Sequence, residues 1–243
     1  MDCPEDREYF RPLRHVTETG KRFFRIQEAE MTLPKIVYFQ TLTACNGHCV
    51  YCPFDDIYDS DWIETMELET YTRAINWLAR FKYTGRIGFL LHCEPTLDIG
   101  LSQLIQVARS WLPNCLIEIA TNGIEDRYNI LRLADSVQIT PPNSLMRPTS
   151  RAGNVKACEG LTRDPISSKP CTLPRDTMCI AHNGAVLLCC QDWRHESIVG
   201  TVDDLTAARE RQLSIDTNIQ EICNDCMNGR TLEEVRIGQR RLI

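Results

Sequence analysis

Apolar and polar positions alternate with two different periods between residues 36 and 140. Runs of β-branched and aromatic residues predict four strands, at 36–42, 86–91, 115–120 and 137–140. Apolar residues at helical spacing predict helices at about 65–81 and 101–111, and a shorter helix near 126–134. Strands that alternate with helices form right-handed βαβ units. The sequence therefore predicts an α/β fold around a parallel sheet.

The pattern changes after about residue 150. Residues 179–182 and 185–188 predict a β-hairpin closed by the turn Asn183-Gly184. Short helices are expected at 203–213 and 231–241. We therefore expect three parts: an N-terminal extension over 1–34, a main domain over 35–153, and a small cysteine-rich module over 154–243.

Unusual polar residues follow each predicted strand of the main domain. They form four groups: residues 45–52, residues 92–95, residues 121–123 and residues 141–144. Ligand sites of parallel α/β sheets lie at the carboxyl ends of the strands. The four groups are thus expected to meet at one edge of the sheet and to mark the active face.

Composition narrows the class of protein. The chain of 243 residues has 27 Lys and Arg against 33 Asp and Glu, a net charge of −6, which argues against a general nucleic-acid binder. No apolar run reaches the roughly 18–20 residues that span a bilayer, and the acidic N-terminus lacks the apolar core of a secretory signal. We expect a cytoplasmic protein with no membrane partner.

Cysteine is the residue type that stands out, with 13 copies. In a reducing compartment, clustered cysteines more often bind metal than form disulfides. Cys45, Cys49 and Cys52 have the spacing CxxxCxxC, and three thiolates on one loop can bind three irons of a [4Fe-4S] cluster, leaving the fourth iron open. The alternative is a structural zinc loop with His48 as fourth ligand.

This motif, with the aromatic Tyr51 before the last cysteine, resembles that of the radical S-adenosylmethionine (SAM) enzymes. The resemblance implies a partial β/α barrel, a cluster whose open iron binds SAM, and a 5′-deoxyadenosyl radical that abstracts hydrogen. His92-Cys93-Glu94-Pro95 stands where the family usually has Gly-Gly-Glu-Pro, and Thr121-Asn122-Gly123 also matches it. Cys93 replaces a glycine, either as a tolerated small residue or as a thiol poised in the cavity.

Ser150-Arg151-Ala152-Gly153 resembles a family segment whose arginine reaches the carboxylate of SAM or the substrate. Few residues separate Thr140 from Arg151, so the barrel is expected to be truncated. The resemblance implies two catalytic candidates, Cys93 and Arg151. It also implies a cofactor-binding set made up of Tyr51, His92, Cys93, Glu94, Thr121, Asn122, Thr140 and Arg151.

The C-terminal cysteines resemble the twitch module, a short form of the SPASM domain that holds an auxiliary [4Fe-4S] cluster. The order of motifs is similar to that of the aminocyclitol dehydrogenases with such a module. By that comparison the ligands are Cys171, Cys189, Cys223 and Cys226. Cys190 is expected to point away from Cys189, because side chains alternate along a strand. Zinc fits this spacing equally well.

The reaction stays open among several classes. A dehydrogenase of a small polar substrate (sugar, aminocyclitol or nucleoside) would pass an electron of the substrate radical to the auxiliary cluster. An epimerase would quench the radical with a thiol, for which Cys93, Cys179 and Cys190 are candidates. The motifs are also compatible with peptide modification and with a zinc module that has no catalytic activity. The resemblance further implies an electron donor of the flavodoxin or ferredoxin type.

Overall fold

A seven-stranded mixed sheet organises the protein. The structure is a computed structural model that describes residues 31–50, 52–58, 61–126, 129–143, 154 and 171–215. Described residues from Pro34 onward belong to one compact unit, Pro34–Ile243. The strands are β1 (Ile36–Phe39), β2 (Arg86–Phe89), β3 (Leu116–Thr121), β4 (Ser136–Ile139), β5 (Thr177–Ile180), β6 (Ala185–Leu187) and β7 (Ile198–Thr201).

The strand order is β4-β3-β2-β1-β5-β6-β7. Strands β1 to β5 are parallel, and β6 and β7 extend the sheet in antiparallel pairs. The predicted α/β class and parallel sheet are confirmed. Because β5 pairs directly with β1, the strands of the C-terminal hairpin continue the main sheet. The boundary expected at 153–154, the partial barrel and the twitch module stay predictions.

Five α-helices lie in the described part of the chain. They are α1 (Phe54–Ile57), α2 (Leu68–Arg80), α3 (Leu101–Trp111), α4 (Leu173–Asp176) and α5 (Leu205–Ser214). Three 3₁₀ turns accompany them, at Pro95–Leu97, Ile130–Leu133 and Val202–Asp204. No helix among these residues is long and apolar enough to cross a membrane.

An aromatic core joins α2 to one face of the sheet. The ring of Tyr71 lies 4.8 Å from that of Phe39 and 6.1 Å from that of Phe89. All three side chains are completely buried. Because side chains alternate along a strand, Tyr38 projects from the opposite face. An ideal Cβ on Gly88 would lie 2.7 Å from Tyr38 Cδ1, so the tyrosine ring crosses β2 where only a glycine leaves room.

The first predicted strand is shorter than expected, and a 3₁₀ turn replaces the helix predicted near 126–134. The first strand stops at Phe39 rather than at residue 42, because the backbone of Thr41 and Thr43 bonds to Met66 and Glu64 instead of continuing the sheet. In the described part of 126–134, only the 3₁₀ turn Ile130–Leu133 is found. There Asn129 is left-handed (φ 53°) and Asp126 Oδ1 accepts the amide of Ile130 at 2.7 Å, which starts a turn in place of an α-helix.

The predicted hairpin is confirmed, but its turn is of another type. Gly184 N donates to Ala181 O and Ala181 N donates to Ala185 O, both at 2.9 Å, and Gly184 has φ 84°. This is a three-residue loop with its glycine in the left-handed region, not the expected two-residue Asn-Gly turn. Strand β7 was not predicted at all, and the helix expected at 231–241 lies outside the described residues.

Candidate active site

The carboxyl ends of β1 to β4 bring together the polar groups that the sequence marked. The central contact is the carboxylate of Glu94, which is 2% exposed. Its Oε1 accepts from Thr96 N at 3.1 Å, Thr96 Oγ1 at 2.7 Å and Thr121 Oγ1 at 2.7 Å, and its Oε2 accepts from Asn122 N at 2.7 Å. Glu94 therefore ties the end of β2 to the end of β3, and its charge is satisfied within the protein.

The cysteine loop, residues 45–52, of which all but Tyr51 are described, rests on these strand ends. Asn122 Nδ2 donates to Asn46 Oδ1 at 2.7 Å and lies 4.0 Å from Cys45 Sγ. An ideal Cβ on Gly47 would lie 3.1 Å from Asn122 Nδ2, so a glycine allows the close approach. Beyond β4, Asn143 Oδ1 accepts the amide of Val50 at 2.9 Å. The predicted site residues Thr121 and Asn122 thus contact Glu94 or the loop.

The donor set of this loop fits an iron–sulfur cluster. Cys45, Cys49 and Cys52 are all partly exposed. Burial raises the pKa of Cys45 to about 11, with further contributions from the charge of Glu94 and then from those of the other two thiols. No described set of three or more His, Cys, Asp or Glu side chains is placed to hold a single metal ion. A cluster does not need such convergence, because each thiolate binds a different iron.

The zinc alternative needs His48 as its fourth ligand. His48 Nδ1 lies 2.9 Å from Asp55 Oδ2, and both side chains are exposed. A structural zinc ion requires four ligands at one tetrahedral centre. Zinc-binding histidines often donate their other ring nitrogen to a carboxylate, so the contact with Asp55 does not decide this alternative. The described His, Cys, Asp and Glu side chains form no such four-ligand centre.

Cys93 lies against the segment that follows β1. Burial raises the pKa of its thiol to about 12, while hydrogen bonds from the backbone of Thr41 and Leu42 act in the opposite direction. The side chain is therefore a protonated thiol at neutral pH, held against the backbone of Thr41 and Leu42 just after β1. Thr140 also takes part in the edge, since its amide donates to Thr121 O at 2.8 Å.

His92, predicted among the cofactor-binding residues, has a buried side chain beside aromatic rings. Its backbone is left-handed (φ 50°), and its side chain is 3% exposed. The ring stacks on Trp193 at a centroid distance of 4.1 Å, and Nε2 lies 2.9 Å from Cys190 O. A glycine adopts such a φ without cost, which explains why the related motif has glycine at this position.

Sequence reasoning missed a polar cluster beside this ring. Gln40 Nε2 donates to Tyr58 OH at 3.2 Å, and Tyr58 OH lies 3.3 Å from His195 Nε2. His182 Nε2 is 2.9 Å from Glu64 Oε2. Burial, followed by the charge of His182, lowers the pKa of His195 to about 4. The available signal was Gln40, a polar residue directly after a buried strand. The other members, Tyr58, His182 and His195, come from distant segments, and no sequence pattern pointed to them.

The C-terminal cysteines that are described lie around β5 and β6. Cys179 is fully buried in a core cluster with Leu91, and Cys190 packs against that cluster. Cys189 is buried and Cys171 is partly exposed. Tyr51, Arg151, Cys223 and Cys226 lie outside the described residues, so their predicted roles stay predictions.

Comparison with solved structures identifies the fold. BtrN in complex with AdoMet and 2-DOIA matches with a TM-score of 0.65 and 16% identity, over 83% of this chain and 96% of that chain. The fold of this chain is that of BtrN. SeMet BtrN in an open conformation matches with a TM-score of 0.58 and 18% identity, over 83% of this chain and 97% of BtrN. No family model and no curated protein matches the sequence.

Proposed function

We propose that this protein is a radical SAM oxidoreductase that removes hydrogen from a small polar substrate of the sugar, aminocyclitol or nucleoside type. One observation carries the proposal. The cysteine loop contacts Asn122, which the carboxylate of Glu94 holds, at the carboxyl edge of a sheet with the fold of BtrN, which was crystallised with AdoMet and 2-DOIA. The motifs at residues 45–52, 92–95 and 121–123, which resemble those of radical SAM enzymes in their order along the chain, thus also lie together in the fold.

Cys45, Cys49 and Cys52 would hold the cluster, which when bound supplies the electron for reductive cleavage of SAM. Gly47 N already donates to Cys45 Sγ at 3.4 Å. Hydrogen bonds to cluster sulfurs tune the reduction potential. Because the pKa of Cys45 is raised to about 11, the thiol must lose its proton on loading, so cluster assembly is expected to be favoured by higher pH.

Glu94 acts in this scheme as a positioning group. Its carboxylate fixes the Thr121 hydroxyl and the Asn122 amide, and Asn122 in turn contacts the cysteine loop through Asn46. The ends of β2 and β3 are therefore held in one geometry before any ligand binds. Such preorganisation lowers the cost of placing SAM and substrate in reacting positions.

For a carbinol substrate, oxidation removes one hydrogen atom, one proton and one electron. We propose an auxiliary [4Fe-4S] cluster as the electron acceptor, bound by Cys171, Cys189, Cys223 and Cys226. Burial of Cys189 in the described part of the chain supports a ligand or a core role at this position. A ferredoxin or flavodoxin would provide the electrons for SAM cleavage.

The test is anaerobic incubation of reconstituted protein with SAM and candidate hydroxylated substrates, following 5′-deoxyadenosine and product mass. We expect a product lighter by two hydrogens. A product of unchanged mass in ordinary water that is one mass unit heavier in heavy water identifies an epimerase. A colourless protein with zinc and no iron overturns the proposal. Cys49→Ala is the control that should form no 5′-deoxyadenosine.

An epimerase is the second candidate, because the thiol of Cys93 stays protonated and could donate a hydrogen atom. Against it, the sulfur contacts the backbone of Thr41 and Leu42. Cys93→Ala separates the two reactions. A dehydrogenase keeps product formation, whereas an epimerase that uses Cys93 still makes 5′-deoxyadenosine but releases no epimer. Cys179→Ala and Cys190→Ala are the parallel variants.

A further inference from the structure

His92 links two parts of the chain that the sequence keeps almost 100 residues apart. On one side it precedes Cys93 and Glu94, and the amide of Glu94 donates to Ala44 O at 2.9 Å, next to the cysteine loop. On the other side its ring contacts the connection between β6 and β7, residues 188–197. The residue thus stands between the predicted SAM site and the predicted auxiliary ligand Cys189.

The backbone of His92 adopts a left-handed conformation while its ring contacts the β6–β7 connection. A left-handed φ of 50° is uncommon for a residue other than glycine, although histidine, like Asn and Asp, adopts it more often than most residues. Such conformations cost free energy and persist where the surroundings fix them. Gln40 Nε2 donates to His92 O at 3.4 Å and holds the carbonyl of the strained residue.

The ring makes two contacts that define its orientation. Cys190 O can only accept a hydrogen bond, so Nε2 of His92 carries the hydrogen and donates over 2.9 Å. The planes of His92 and Trp193 are 26° apart with centroids at 4.1 Å, and His195 stacks at 5.7 Å. The side chain of His92 therefore contacts the β6–β7 connection at two points, the carbonyl of Cys190 and the ring of Trp193.

Hydrogen bonds within the β6–β7 connection join Cys189 to the residues that His92 contacts. Asp192 N donates to Cys189 O at 3.2 Å, and the buried carboxylate of Asp192 accepts from Glu196 N at 2.9 Å and Ser197 N at 2.8 Å. Leu188 N closes the connection by donating to Ser197 O at 2.9 Å. A compact turn of this kind moves as one piece, so fixing Cys190 and Trp193 also fixes Cys189.

We propose that His92 is a positioning residue that docks the β6–β7 connection on the end of β2 and so sets the distance between the SAM site and the auxiliary cluster. The second half of this statement rests on the proposed function, while the docking does not. A histidine thus takes the place of a family glycine because its ring is needed across the sheet, at the cost of backbone strain.

Docking is tested on the protein as isolated, by hydrogen exchange of the backbone amides of residues 188–197. His92→Gly keeps the left-handed backbone and removes the ring. We expect amide exchange about ten-fold faster, from the loss of one hydrogen bond and one stacking contact. Lys82→Gly is the matched control, since Lys82 is also left-handed (φ 51°) and exposed, and it should leave this exchange unchanged. Unchanged exchange in His92→Gly, or an equal increase in Lys82→Gly, overturns the docking.

The role toward the cluster is tested on reconstituted protein by the reduction potential of the second cluster and by 5′-deoxyadenosine formed per product. His92→Gly should keep its iron, shift that potential, and raise the ratio by about ten-fold, because misplacement by about 1 Å can cost up to 10²-fold. A wild-type potential and ratio together with faster exchange overturn the positioning role. If His92→Gly does not fold, His92→Asn, which tolerates the same backbone, is judged by the same outcomes.

These measurements keep the two proposals apart. Wild-type protein that binds no iron and forms no 5′-deoxyadenosine ends the proposed function, while the exchange experiment still decides the docking. Conversely, an active two-cluster enzyme with unaltered exchange in His92→Gly retains the proposed function and loses the inference about His92.

Discussion

The cysteine loop after β1 and the β6–β7 connection both carry cysteines at the border of one sheet, yet different contacts hold them. The loop is bound by side-chain amides of Asn122 and Asn143, and its three thiols are partly exposed. The connection is bound by a buried carboxylate, Asp192, and by the ring of His92, and Cys189 is buried. Exposure suits a site that a cofactor must enter, whereas burial suits a ligand that is also part of the core.

Removing the cysteines of each region gives the largest expected difference. The combined variant Cys45→Ala, Cys49→Ala and Cys52→Ala should lower the iron from about eight to about four per chain and abolish SAM cleavage. Because these side chains are partly exposed, the free energy of unfolding of the metal-free protein should stay within about 1 kcal/mol.

Cys189→Ala is the counterpart in the other region. It should lose the second cluster and also destabilise the metal-free protein by about 1 kcal/mol or more, since it leaves a cavity in the core. Iron analysis and chemical denaturation measure both effects. An equal loss of unfolding free energy in the triple variant and in Cys189→Ala would contradict the comparison. If Cys190→Ala lost four irons and Cys189→Ala did not, the ligand would be Cys190 rather than Cys189.

A smaller change in the free energy of unfolding is expected when Asp192, which holds the β6–β7 connection, or Asn143, which holds the cysteine loop, is replaced. Asp192→Ala leaves the amides of Glu196 and Ser197 without their acceptor in a buried site, which should cost about 1–3 kcal/mol of unfolding free energy. Asn143→Gly removes the acceptor of Val50 N at an exposed site and keeps the left-handed backbone (φ 57°), so it should cost less than about 1 kcal/mol. Urea denaturation of both variants tests the order, and a larger loss for Asn143→Gly would contradict it.

The smallest effect concerns pH and the polar cluster beside the β6–β7 connection. The pKa of His195 is lowered from 6.5 to about 4, chiefly by burial, so between these pH values the unfolded chain binds more protons than the folded one. This group's contribution to stability is therefore complete above about pH 6.5 and declines as the pH falls toward 4.

His195→Asn removes the titrating ring and keeps a residue that tolerates the left-handed backbone (φ 55°). The difference in unfolding free energy between wild type and variant should narrow or reverse on acidification from pH 7 to pH 4.5. A difference that does not change with pH would show that His195 does not titrate in this window.

Much of the sheet could be predicted because its signals are local. The spacing of Tyr71, Ile75 and Leu78 predicted α2, and these residues are buried as expected. The runs that became β2 and β3 needed only neighbouring residues for their assignment. The polar groups after each strand were also readable, since parallel strands end at a common edge.

The sequence by itself determined the alternation of strands and helices, the CxxxCxxC spacing and the edge of the sheet where the chemistry lies, since each depends on residues close along the chain. Only the tertiary structure decided that β5 pairs with β1, that the carboxylate of Glu94 binds Thr121 and Asn122, and that the ring of His92 reaches Cys190. Each of these contacts joins segments far apart in sequence. Strand pairing and side-chain packing select such partners only when the whole sheet has formed, so no local pattern encodes them.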